Sequence, residues 1–95
     1  MITVREMVDF LEDAMDHPER LALDVERFQH AVFEAPRREP GKERAWLELE
    51  ELARELAWYV PDKELRREDD AFLGPRRAAQ RIRSVLTKLG ESGEK

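Results

Sequence analysis

The sequence ERAWLELEELARELAWYV, residues 43–60, decides the fold because its apolar residues recur at helical spacing. At about 100° per residue they share an arc roughly 160° wide. That arc holds Ala45, Trp46, Leu49, Leu52, Ala53, Leu56, Ala57, Tyr59 and Val60. A face of this width contacts more than one neighbour, which predicts a core helix. Leu47 and Trp58 fall on one line along the opposite, charged side, so two large apolar side chains are expected in solvent.

Two amphipathic helices are predicted before this segment. Thr3 and Glu6 have the spacing of a capping box, in which the hydroxyl accepts the third amide and the carboxylate returns to the N–H of the cap, so a helix should span residues 4–16. Pro18 forces the preceding residue out of the α region and can open a second helix that ends near residue 35. The expected buried residues are Val4, Met7, Val8, Phe10, Leu11, Ala14 and Met15, then Leu21, Ala22, Val25, Phe28, Val32, Phe33 and Ala35.

Loops and a last helix are predicted from the prolines and glycines. Residues 36–41 contain two prolines and interrupt every helical pattern, which indicates a loop. Residues 62–74 are expected to form a loop with at most one short turn. Gly74 and Pro75 have the order of a cap and a first-turn proline, so a final helix should begin there and be stopped by Gly90. Its expected apolar stripe is Ala78, Ala79, Ile82, Val85, Leu86 and Leu89.

These features together predict an all-α protein, a small antiparallel four-helix bundle. Residues 1–90 are expected to form a single domain and residues 91–95 a flexible tail. The chain of 95 residues has no cysteine, so neither a disulfide framework nor a thiolate metal site is expected. Without a signal-peptide pattern or a membrane-length apolar run, we expect a cytoplasmic protein that makes no membrane contact.

No group of residues predicts catalysis, a cofactor or a metal site. His17 and His30 fall on different helices, and a Glu26 and His30 pair would supply only two of the three or four ligands that zinc takes. No serine or threonine adjoins a histidine, and the four glycines are isolated. The acids of residues 62–70 lack the spacing of an EF-hand loop. We therefore expect a protein that is not an enzyme.

Charge is unevenly distributed along the chain. Residues 1–36 hold nine acids and three bases, whereas residues 75–90 hold five bases and no acid, within a net charge of −5. The basic last helix suggests nucleic-acid binding, but the remainder of the chain would repel phosphates. Ion pairs between these bases and carboxylates of the first or third helix are the favoured interpretation, each contributing about 0 to 1 kcal/mol. Nucleic acid is therefore a disfavoured partner.

The segment LAWYVPDKELRRED, residues 56–69, followed by RIRSVLTKL, residues 81–89, resembles the C-terminal half of small colicin D immunity-type proteins. The resemblance implies a four-helix bundle with an acidic loop before its last helix. It also implies a cytoplasmic protein that binds and blocks the nuclease domain of a bacterial toxin, often one that cuts tRNA. The likeness covers a third to a half of the chain.

A physical mechanism fits this resemblance. A nuclease site that holds phosphates is positively charged, so a rigid acidic surface can occupy it as a substrate mimic. The expected partner-binding residues are Trp58, Asp62, Glu64, Glu68, Asp69 and Asp70. Trp58, with Leu47 as a further candidate, would supply the apolar anchor that interfaces favour, although the tryptophan could instead cover the loop.

Self-association is the alternative function. In that hypothesis Leu47 and Trp58 belong to a homodimer interface, the charged faces stay solvated, and the protein has a structural or regulatory role without catalysis.

Overall fold

The computed structural model describes residues 1–35, 37–60, 62–67 and 72–91. Its elements are α1 (Val4–Asp16), a 3-10 turn (Pro18–Arg20), α2 (Leu21–Glu34), α3 (Glu43–Leu56), the one-turn helix α4 (Lys63–Arg66) and α5 (Pro75–Glu91). Within the described residues, α1 packs on α2, α2 on α3, α3 on α5 and α5 on α1, so the four long helices close around one core. The predicted all-α four-helix bundle is confirmed.

The capping interaction predicted for α1 forms only in part. The hydroxyl of Thr3 accepts the N–H of Glu6 at 3.1 Å, as expected. The Glu6 carboxylate, however, accepts the Thr3 hydroxyl at 3.4 Å. The free N–H of Val4 is satisfied from outside the helix, by the carboxylate of Glu39 at 3.1 Å. The start of α1 is therefore tied to the loop between α2 and α3.

Most of the predicted core is confirmed. The buried apolar residues are Val4, Met7, Leu11, Ala14, Leu21, Val25, Phe28, Val32, Ala45, Trp46, Leu49, Leu52, Ala53, Leu56, Leu73, Ala78, Ile82, Val85 and Leu89. Ala22, Phe33 and Ala57 were predicted to be buried and are exposed. The buried stripe of α2 is narrower than the helical periodicity of its sequence predicted. Ala22 and Phe33 lie roughly 100° from the centre of this stripe. Asp24, on the other edge of that stripe, is buried.

The core helix ends earlier than predicted. It stops at Leu56, and the N–H groups of Trp58 and Tyr59 bond the carbonyls three residues back, which tightens the last turn. Tyr59 then forms an isolated parallel bridge with Leu73. Trp58 has therefore left the helical register that placed it in line with Leu47.

The last helix runs further than predicted. Gly90 was expected to stop it, but α5 continues to Glu91. A glycine ends a helix when it takes a positive φ, and in the described residues only Gly41, in the loop before α3, does so at 80°. The rest of the predicted tail, residues 92–95, lies outside the described residues.

Arg38 joins the α2–α3 loop to both helices. Its guanidinium donates to the carbonyl of Val32 at 2.9 Å and to the carboxylate of Glu50 at 3.3 Å. It also lies over the ring of Trp46, 5.1 Å from the ring centre. The same loop holds the N-terminus, because Ile2 and Arg38 form a parallel bridge. One planar cation therefore fixes the corner where three chain segments meet.

Arg38→Lys is expected to lower the free energy of unfolding by about 1 kcal/mol, although the charge is kept. An ammonium cannot bond the carbonyl and the carboxylate while stacking flat on the indole. Urea unfolding followed by circular dichroism measures the loss. Arg44→Lys, an exposed change at the start of α3, is the matched control and should leave stability unchanged. Equal stability of the Arg38 variant and the wild type would contradict the prediction.

Candidate protein-binding surface

Main-chain hydrogen bonds join the residues at the two ends of the acid-rich segment that follows α3. The N–H of Leu73 donates to the carbonyl of Trp58 at 2.7 Å, and the N–H of Val60 donates to the carbonyl of Leu73 at 2.9 Å. The rings of Trp58 and Phe72 are in contact, with centres 5.9 Å apart and planes tilted by 37°. Both ends of the segment are therefore held together by main-chain bonds and an aromatic pair.

Two apolar side chains, one at this closure and one on α4, are exposed. Trp58 is 48% exposed and Leu65, on α4, is 50% exposed. The ring of Trp58 contacts Phe72 at the base of the loop, and about half of the tryptophan side chain remains in solvent, so both predicted uses stay open. Leu47 is 63% exposed as predicted. It lines a groove beside Arg38, and α3, which carries it, ends before Trp58.

The two predicted loop acids that the structure describes are exposed. Asp62 caps α4, because its Oδ1 accepts the N–H of Glu64 at 2.9 Å. Glu64 and Arg67 form a loose ion pair at 3.9 Å, with exposed fractions of 78% and 70%. Such a contact leaves most of the carboxylate in water. The other predicted site residues, Glu68, Asp69 and Asp70, lie outside the described residues.

The bases of α5 partly neutralise α3, as the charge pattern indicated. Arg81 pairs with Glu55 at 3.5 Å, and Lys88 pairs with Glu48 at 3.6 Å. All four side chains are substantially solvated, so each pair is worth at most about 1 kcal/mol. These contacts orient α5 on α3, and they support the structural interpretation for these two bases.

Asp24 is a buried carboxyl group that sequence reasoning missed. It is 2% exposed, and its Oδ2 has no hydrogen-bond donor in the described parts of the chain. Burial raises the pKa of the Asp24 carboxyl, and a hydrogen bond to the Asp13 carboxyl and the negative charge of Asp13 raise it further. Arg27 and Arg20 act in the opposite direction. The sequence did contain an indication that Asp24 is buried, because position 24 lies one helical turn from Leu21 and from Phe28 on the buried stripe.

The histidines are solvated, as expected. His17 lies near Asp13 and Glu19 at 3.8 and 3.4 Å, and His30 lies 2.7 Å from Glu34, with the histidine side chains 47% and 74% exposed. In the part of the chain that the structure describes, no three side chains of ligand type come together as a metal site. None of the described helices has the length and apolar character needed to cross a membrane.

The chain matches no family model, no curated protein and no solved structure. The resemblance to colicin D immunity-type proteins stays a prediction, and the functional argument depends on the loop and its surroundings.

Proposed function

We propose that this protein is a non-catalytic, toxin-immunity-like inhibitor that blocks a nuclease toxin domain of the tRNA-cleaving type. The observation that supports this most is the closure between Trp58 and Leu73, which joins the two ends of an acid-rich segment of the sequence. A loop whose ends are fixed loses less conformational freedom on binding than a free chain does. Of the acids in this segment, Asp62 and Glu64 lie among the described residues and are exposed, as a substrate mimic requires.

The chemistry of the proposed contact has two parts. Carboxylates of the segment meet lysines and arginines that otherwise hold phosphates, which accelerates encounter and makes the association rate depend on salt. The exposed part of Trp58, with Leu65 nearby in the chain, supplies an apolar anchor that slows dissociation. Asp62 and Glu64 remain solvent-accessible, so their charge is available to a partner.

The test is binding to the nuclease toxin domain encoded beside this gene, measured by surface plasmon resonance at several salt concentrations. Asp69→Lys with Asp70→Lys is expected to weaken binding at least tenfold, mainly through a slower association rate. Asp16→Lys with Glu26→Lys changes the net charge equally on exposed positions of α1 and α2, and it should have a much smaller effect. Equal losses in both variants, or no binding to any neighbouring toxin, would contradict the proposal.

Trp58→Ala tests the anchor separately. It is expected to weaken toxin binding about tenfold or more by raising the dissociation rate, because buried interface tryptophans carry large shares of binding energy. An unchanged dissociation rate would remove Trp58 from the interface.

Self-association is the competing use of the same exposed tryptophan. Sedimentation over a wide concentration range separates the two functions. A concentration-independent monomer excludes the homodimer, whereas a tight dimer that Trp58→Ala dissociates would leave the anchor occupied and argue against the inhibitor.

A further inference from the structure

Four of the five bases of α5 form two rows of two, and ion pairs with α3 neutralise one of these rows. Arg81 and Lys88 are seven residues apart and pair with the two glutamates of α3 described above. Arg76 and Arg83 are also seven residues apart, and their row lies about 140° around the helix from the first. Among the described residues neither of them lies in an ion pair, and both are exposed. Two positive charges on one side of α5 therefore lack an acidic partner within the part of the chain that the structure describes.

These two arginines border a groove whose other lining residues are apolar. The groove has a volume of about 330 Å³ and lies between the start of α5 and the corner where α1 leads into α2. Besides the arginines it is lined by Ala14, Met15, Pro18, Leu21, Pro75 and Ala79. Ala79 lies one turn from each arginine, and its small side chain leaves the space between them open. Met15 is unbranched and adapts to a partner's shape.

We propose that this groove binds an acidic amphipathic helix of a partner protein. Seven residues of helix span about 10.5 Å, so carboxylates at positions i and i+7 of a bound helix match the separation of Arg76 and Arg83 along α5. Apolar residues at i+3 and i+4 of the same helix would then enter the groove, in the helix-in-groove mode of recognition. Guanidinium groups bind carboxylates with two parallel hydrogen bonds, which fixes the register.

The charge around the groove favours such a helix over nucleic acid. Asp16 and Glu19 are exposed and lie next in sequence to the lining residues Met15 and Pro18. A polyanion long enough to extend past the groove would meet these carboxylates on a protein of net charge −5. A helix with two carboxylates places its negative charge only opposite the arginines.

The inference does not depend on the proposed toxin. The probe is a fluorescein-labelled, alanine-based peptide of about 18 residues, long enough to hold helical structure. It carries glutamate at i and i+7 and leucine at i+3 and i+4, and a twin peptide carries glutamine instead of glutamate. Fluorescence anisotropy against the full chain measures both. We expect the glutamate peptide to bind at least tenfold more tightly than its twin.

Two matched double variants show which row of bases on α5 binds the peptide. Arg76→Gln with Arg83→Gln is expected to weaken binding of the glutamate peptide at least tenfold. Arg81→Gln with Lys88→Gln removes the same charge at the same spacing from the other row and should change binding less than threefold. Circular dichroism confirms that each variant is folded, and Trp58→Ala should bind the peptide like the wild type.

Three results would overturn the inference. They are equal weakening by the two double variants, equal binding of the two peptides, and displacement of the peptide by a single-stranded RNA oligonucleotide at lower concentration than by unlabelled peptide.

Discussion

Trp46→Ala is expected to lower the free energy of unfolding by about 3 to 5 kcal/mol. The indole is 4% exposed, and its Nε1 donates to the carbonyl of Glu39 at 3.1 Å. Alanine would leave a large cavity and would remove the donor to the Glu39 carbonyl. The guanidinium of Arg38 would also lose the aromatic ring that it lies over. A domain of this length is stabilised by roughly 5 to 14 kcal/mol, so the variant should be close to unfolding. Urea titration followed by circular dichroism measures the loss.

The second tryptophan is the control. Trp58→Ala removes a side chain that is 48% exposed and whose ring contacts Phe72. Such an aromatic pair contributes about 0.5 to 1.5 kcal/mol beyond its buried area, so the loss should be well below that of Trp46→Ala. Similar losses would show that the corner around Arg38 does not carry the stability assigned to it.

Helical periodicity predicted the parts of this fold that depend on neighbours along the chain. Thr3, Pro18 and Pro75 each mark a helix start through contacts within one turn, and their positions were correct to within a few residues. The role of Arg38 could not be predicted in this way. Its partners on α2 and α3 are brought together only by the tertiary fold, and a loop has no period that would single out one arginine.

In the candidate surface, too, the features set by local sequence were predicted and those set by tertiary packing were not. Helical periodicity placed Trp58 in solvent. In the structure about half of this side chain is exposed, although α3 ends before Trp58. The closure between Trp58 and Leu73 is a pairing of main-chain groups distant in sequence, which side-chain patterns do not encode. The spacing of Arg76 and Arg83 was visible in the sequence, but only packing decides which row of α5 faces α3.

Asp24→Asn is expected to raise the free energy of unfolding at pH 7 by about 1 to 3 kcal/mol. A buried carboxyl group with an orphaned oxygen costs about this much, and two facing carboxyl groups repel each other when both are ionised. An asparagine amide can donate to Asp13 without taking up a proton. Thermal and urea unfolding at pH 7 give the gain. Asp16→Asn, an exposed acid of α1, is the control and should change stability by less than about 0.5 kcal/mol.

The gain should shrink as the solution becomes more acidic. The pKa of Asp24 in the folded protein is raised above its ordinary value of 3.8, so between these two pKa values the folded state holds more protons than the unfolded state. The wild type is therefore stabilised as pH falls through the folded pKa, and this contribution is complete below 3.8. Asparagine does not titrate, so the stability difference between variant and wild type isolates Asp24 from all other acids. A difference that stays constant from pH 7 to pH 4 would show that the pKa of Asp24 is not raised in the folded protein. A variant less stable than the wild type at pH 7 would show that the buried carboxylate does not destabilise the fold.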